Sequence, residues 1–199
     1  MADEIRAEHE FDRYRGYLRL LARGAVGLRL GVRFDASDIV QETLLEAHRS
    51  QGQLRGKTGG QVAAWLRSIL ERKLAQARRN HKREKRDVRR EVSLDSALNA
   101  SSDRLAAILP GGDSTPSAKA VREEEAVRVA TMLEDLPATQ REAIVRTYLE
   151  GLSLDEAAAQ MGKTPAAVAS LVRRGLAQLR DVAAALERRS GSSRRASGE

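Results

Sequence analysis

Apolar residues recur at helical spacing along most of this chain, and the places where they stop divide it. Phe11, Tyr14, Leu18 and Leu21 share one face and predict a helix from about Ile5 to Ala22. Gly24, Gly27 and Gly31 then loosen the pattern, so a break or a short helix is expected. The next helix runs from Asp35 to about Arg49, with Ile39, Val40, Leu44 and Ala47 inward. Its acidic opening, DASD, suits the positive end of a helix dipole. Four glycines between Gln51 and Gly60 predict a loop. A long helix follows from about Gln61, with the stripe Val62, Trp65, Leu66, Ile69, Leu70 and Leu74. Trp65 is in phase with Leu66 and Ile69, which predicts a core residue rather than a stacking platform.

Beyond Leu74 the helical composition continues without a core face. Arg78, Arg79, Lys82, Arg83, Lys85, Arg86, Arg89 and Arg90 crowd one short run, against Glu84 and Asp87. A helix that stops burying apolar surface but continues as a basic rod suits a phosphate-contacting surface. Residues 93–118 mix Ser, Asn, Asp, Gly and Pro and read as a flexible linker, with at most one helical turn at Leu105, Ile108 and Leu109. Helices resume near Lys119 with the weak stripe Val121, Val127, Ala130 and Leu133, ending at Leu136-Pro137. Thr139 and Glu142 have the spacing of a capping box, ahead of Ile144, Val145, Tyr148, Leu149 and a stop at Gly151. The tail 187–199 has no core residues and reads as disordered. The expected fold is all-α: two small helical domains, 1–92 and 119–186, joined by the linker.

Residues 153–180 carry the sharpest functional signal, a helix-turn-helix. Ser153 and Glu156 form a capping box, and Leu154, Ala157, Ala158 and Met161 make a short apolar face. Gly162 supplies the turn, because glycine alone enters left-handed backbone space without cost. Thr164 can cap the second helix, and Pro165 suits its first position. Val168, Leu171, Val172, Leu176 and Leu179 face inward, leaving Ser170, Arg173, Arg174 and Arg180 outside. A basic second helix after a glycine turn has the geometry that enters a DNA major groove.

Composition narrows the function class. The chain of 199 residues has 35 Lys+Arg against 28 Asp+Glu, a net charge of +7 that favours a polyanionic partner. It has no Cys, so disulfide, thiolate-metal and cysteine-nucleophile chemistry are excluded. His9, His48 and His81 are widely spaced and suggest no metal site. No nucleophile signature or phosphate-binding glycine loop appears, so no enzyme activity and no cofactor are expected. The N-terminus lacks the apolar core of a signal peptide, and no apolar run approaches a membrane span, which favours the cytoplasm.

The order of these features resembles the extracytoplasmic-function class of bacterial sigma factors. The run Asp35-Ala36-Ser37-Asp38-Ile39-Val40-Gln41-Glu42-Thr43-Leu44-Leu45-Glu46-Ala47 is similar to that family's region 2.2. Trp65-Leu66, Ile69 and the basic run resemble regions 2.3 and 2.4, and Leu136-Pro137, Gln140-Arg141-Glu142 and the helix-turn-helix resemble region 4. The resemblance implies promoter DNA and core RNA polymerase as partners, the latter through the largest-subunit clamp helices and the flap. It also brings in an anti-sigma protein, which holds many members of the family inactive.

The resemblance further implies roles for residues. Asp38, Gln41, Glu42 and Leu45 would meet the polymerase. The loop Gln53 to Gly59 would assist melting, with Arg55 and Lys57 on phosphate, while Arg72, Lys73, Gln76 and Arg79 face the −10 element. Lys163, Thr164, Ala169, Ser170, Arg173 and Arg174 would face the −35 element. The chain departs from the family pattern at Arg72 (often Asn), Gln76 (often Asp), Ala169 (often Arg or Lys) and Leu176 (Arg in several members), and its basic run lacks stacking aromatics. An autonomous regulator that binds operator DNA without polymerase is the alternative. It has no use for the DASDIVQET helix.

Overall fold

The computed structural model describes residues 11–27, 35–54, 56–84, 94–108 and 119–196, and every regular element among them is helical. Helix α1 (Asp12–Gly27) is central. Phe11, Tyr14, Leu18 and Leu21 are buried as their spacing requires, and Tyr17, Leu20, Ala22 and Ala25 are buried too, because neighbours cover α1 on several sides. It continues through Gly24, where a break was expected, because the missing side chain admits a neighbouring helix. A Cβ there would meet Ser101 Oγ at 2.6 Å. The first six residues of the expected helix and Gly31 lie outside the described residues.

Helix α2 (Ala36–Arg49) starts at Asp35, whose carboxylate accepts the Ser37 N–H at 2.8 Å. Ile39, Val40, Leu44 and Ala47 are buried, and Thr43 joins them by donating its hydroxyl to the Ile39 carbonyl. The glycine-rich stretch holds a 3₁₀ turn (Gln51–Leu54). Helix α3 (Gly59–Glu84) opens on Thr58 and Gln61, which exchange bonds with each other's backbone N–H in capping-box fashion. Trp65 packs against the core beside Phe11, and the His48 ring meets Phe11 edge-on. The basic run is helical to Glu84; residues 85–93 lie outside the described residues.

Several expectations fail in the second half of the chain. The predicted linker contains a helix, α4 (Leu94–Ala106), whose Leu98 and Leu105 are fully buried and whose Ser101 and Ser102 are buried with them. Small serines let α4 approach α1 closely, and the hydroxyls bond inward, Ser101 to the Ala97 carbonyl and Ser102 to Glu123. A pattern based on hydrophobicity reads such serines as loop. Helix α5 (Lys119–Glu134) buries Ala130 and Leu133 of the expected stripe, with Val127 partly buried against the core, but not Val121. Val121 is exposed, while Glu123, Ala126, Val129, Ala130 and Leu133 turn inward. The charge of Glu123 lies inside because Arg67 of α3 pairs with it, Nε to Oε1 at 3.1 Å.

Helix α6 (Ala138–Ile144) continues as a π-helical turn over Val145–Leu149. The capping box expected of Thr139 and Glu142 does not form. Pro137 opens the helix with no side-chain cap, its carbonyl accepting from Gln140 and Arg141, and Glu142 is taken by Arg23 and Arg146. Helices α7 (Leu154–Met161) and α8 (Pro165–Ala196) complete the chain, and α8 runs into the segment expected to be a disordered tail. No helix among the described residues is long and apolar enough to cross a membrane.

Candidate nucleic-acid interface

The helix-turn-helix is built by local chemistry. The Ser153 side chain accepts the Glu156 N–H, and the Glu156 carboxylate accepts the Ser153 N–H at 2.8 Å. That backbone bond, with the Ser153 hydroxyl, holds the Glu156 carboxyl below the usual range. Gly162 takes φ 61° and ψ 38°, and Thr164 accepts the Ala167 N–H at 3.2 Å ahead of Pro165. Ala143, Ala157, Ala158, Val168 and Leu171 form the core between the two helices. Leu154 stays exposed, contrary to expectation, at the first helical position of α7 on the rim of a groove shared with α8. Replacing Ser153 by Ala should lower stability by about 0.5–2 kcal/mol in urea unfolding, the usual worth of an N-cap.

Helix α8 crosses α6 closely at Gly175, where a Cβ would meet Ile144 Cδ1 at 2.7 Å. Leu176 and Leu179 are buried there, so Leu176 packs as expected. The outer side of α8 presents Arg173 and Arg174, with Ser170 and Ala169 half-buried beside them. Lys163 and Thr164 are exposed at its start. All six residues expected at the −35 element thus lie just before or along the first three turns of one helix. Tyr148 and Leu154, expected from the sequence only as apolar packing residues, flank an open groove of about 420 Å³ beside them, with Val172, Arg173 and Arg180 on its other wall.

The first half presents two adjoining surfaces. On α2 the buried Ile39, Val40 and Leu44 force Asp38, Gln41 and Glu42 outward, and Leu45 is 56% exposed among them. On α3, Arg72, Gln76 and Arg79 are exposed and Lys73 is half-buried. Lys57 is exposed, and Arg55 lies outside the described residues. Glu46 of α2 joins the surfaces: its carboxylate lies 2.8 Å from Arg72 Nη2 and 3.0 Å from Lys73 Nζ. The bond from Arg72, then that from Lys73, holds the Glu46 carboxyl below the usual range. Lys73 also lies 3.9 Å from Glu42. Arg72 is exposed, and a surface pair such as Arg72–Glu46 is worth at most about 1 kcal/mol, so a phosphate can exchange with the carboxylate at that cation.

Comparison with known proteins finds a family match in each half of the chain. The family model of sigma-70 region 2 matches residues 13–84, and that of sigma-70 region 4 matches residues 126–179. The chain is 30% identical over 148 residues to the ECF RNA polymerase sigma factor SigD of Mycobacterium tuberculosis, covering 73% of this chain and 62% of SigD. The same figures hold for SigD of Mycobacterium bovis. It is 28% identical over 186 residues to the RNA polymerase sigma factor CarQ of Myxococcus xanthus, covering 93% of this chain and 90% of CarQ. The chain therefore spans less than two thirds of the length of SigD and nearly all of CarQ. No solved structure gave a significant match.

Proposed function

The chain belongs to the extracytoplasmic-function sigma factors, and from that premise we propose that it brings core RNA polymerase to −35/−10 promoters in the cytoplasm and helps open them. The observation that carries this reading is the presence, on one chain, of two basic surfaces on different helices and a third surface of opposite character. Arg173 and Arg174 project from α8, Arg72, Lys73 and Arg79 lie on α3, and Asp38, Gln41, Glu42 and Leu45 sit on α2.

Each surface has the chemistry for one task. Arginine on a major-groove helix reads guanine in bidentate fashion, each contact worth about 1–3 kcal/mol of discrimination. Lys163 and Thr164 at the start of that helix anchor phosphate. The α3 cations hold the backbone of the −10 element. Because no stacking aromatic is available in that run, strand capture rests on phosphate contacts and on the Arg55–Lys57 loop. The α2 strip offers carboxylates, an amide and one apolar side chain to the clamp helices of the polymerase, and the second half meets the flap. Residues 1–92 serve polymerase and the −10 element, and residues 119–186 the −35 element. An operator-binding regulator would leave the α2 strip without a task.

Replacing Asp38 and Glu42 together by Ala separates the two readings. Affinity for core polymerase should fall at least about tenfold, read by fluorescence anisotropy, while affinity for a −35 duplex stays within about twofold. Unchanged polymerase affinity would remove α2 from the polymerase contact.

A further inference from the structure

The groove beside the start of α8 has an apolar lining that none of the roles above uses. It runs between Tyr148 and Leu154 on one side and Ala169, Arg173, Leu176 and Arg180 of α8 on the other. Five large apolar side chains are exposed among the described residues, and two of them, Tyr148 at 43% and Leu154 at 42%, line this groove together. Local backbone structure holds both in place. Tyr148 lies in the π-helical turn, which the Glu150 N–H closes on the Val145 carbonyl at 2.9 Å, and it is exposed while Val145 and Leu149 are buried. Single turns of this kind recur at functional sites. Leu154 is the first residue of α7 and follows directly on the Ser153 cap.

The α8 side of the groove is mixed. Ala169 and Leu176 are seven residues apart, as are Arg173 and Arg180, so each pair shares a side of the helix. The two arginines are exposed, Leu176 is buried and Ala169 is half-buried. A lining that is cationic at one edge and apolar elsewhere suits a ligand that carries phosphates beside an apolar group. The major groove of DNA offers one apolar group at its base edges, the C5 methyl of thymine. Adenine, guanine and cytosine present only donors and acceptors there, and an apolar wall would leave those unpaired at a cost. Ala169 has a methyl and nothing that donates or accepts, so thymine is the base it can favour.

From this lining we infer that Ala169 is a specificity-determining residue, whose methyl meets the C5 methyl of a thymine in the −35 element at the mouth of the apolar groove. The inference rests on the promoter reading above and adds the base that α8 selects beside any guanine its arginines read. Its position follows from helix geometry. Ala169 and Arg173 are four residues apart, about 6 Å along the helix at ~1.5 Å per residue. Base pairs stack at ~3.4 Å. The thymine therefore lies within about two base pairs of the pair that Arg173 contacts. DNA is favoured over a protein as the occupant because Arg173 belongs both to this groove and to the exposed basic side of α8.

The test removes one methyl from the DNA. The full chain first selects its preferred sequence from a pool of randomised duplexes at fixed salt. Each thymine of that duplex is then replaced in turn by deoxyuridine, which keeps the base pairing and lacks only the C5 methyl. One replacement, within about two base pairs of the pair whose preference is lost in Arg173→Ala, should weaken binding about three- to fivefold, the worth of one buried methyl. In Ala169→Gly the same replacement should change affinity by less than about 1.5-fold, because the partner methyl is already absent. Ala169→Gln, which keeps a good helix former at the position, should lose the methyl dependence too. The inference is overturned if no deoxyuridine weakens binding as much as about twofold, or if the effect persists in both Ala169 variants. Weaker binding of core polymerase by Leu154→Ala, with every deoxyuridine duplex bound like its parent, would give the groove to the polymerase instead. A sequence preference without methyl dependence would remove this inference and leave the promoter reading standing. A pool that yields no preferred sequence would remove both.

Discussion

Arg67→Met should be the most damaging single change in the first half, lowering unfolding free energy by about 3–5 kcal/mol in urea titration. Arg67 is 6% exposed, and its guanidinium lies against Glu123, the Asn99 side-chain oxygen and Asp95. Removing it leaves a carboxylate in the core with two hydroxyl donors and no counter-charge. Methionine keeps most of the volume, so the loss measures charge rather than a cavity. The double change Arg67→Met with Glu123→Leu should recover a large part of it, because the charge left unpaired is then absent as well. Arg15–Asp12, an exposed pair one helical turn apart, is the control, worth less than about 1 kcal/mol. A loss of that small size at Arg67 would mean that water reaches Glu123 and that the network does not hold α5.

The second large effect is on DNA. Changing Arg173 and Arg174 together to Ala should weaken binding to a −35 duplex by about a hundredfold or more at fixed salt, while helix content and unfolding midpoint stay unchanged. Both side chains are exposed, and the one hydrogen bond either makes among the described residues is a long one, Arg174 Nε to the Ser170 carbonyl at 3.4 Å. Their loss therefore costs the fold little. The single variants assign the roles. An arginine that reads guanine should relax the sequence preference at one base pair when removed, by about 1–3 kcal/mol. One that binds phosphate should weaken every sequence alike and reduce the salt slope by about one. Affinity within about twofold of the unaltered chain would take α8 out of the groove.

The parts legible in sequence are those built by neighbours along the chain. Asp35, the Ser153–Glu156 box, Gly162 and Thr164 act within three residues of themselves, and the structure places each as expected. The amphipathic stripes of α2, α3 and α8 were legible because one face of each packs and the other does not. What escaped depends on partners far away in sequence. Glu123 lies inward only because Arg67 is 56 residues before it. Glu142 leaves Thr139 for Arg23, across 119 residues. Ser101 and Ser102 turn a presumed linker into a core helix because Gly24 and Glu123 await them. Glu46, the carboxylate between the α2 and α3 surfaces, gave no local sign of its pairing with Arg72 and Lys73.

Run-off transcription tests the central claim most directly. The purified chain is mixed with bacterial core RNA polymerase on a library of genomic fragments, and transcript starts are mapped. Transcripts that depend on the chain and share a −35/−10 pattern upstream are the expected result, and Arg173→Ala with Arg174→Ala should abolish them. Tight binding to fragments with no transcript and no complex with core polymerase would contradict the account and leave an autonomous DNA-binding regulator in its place.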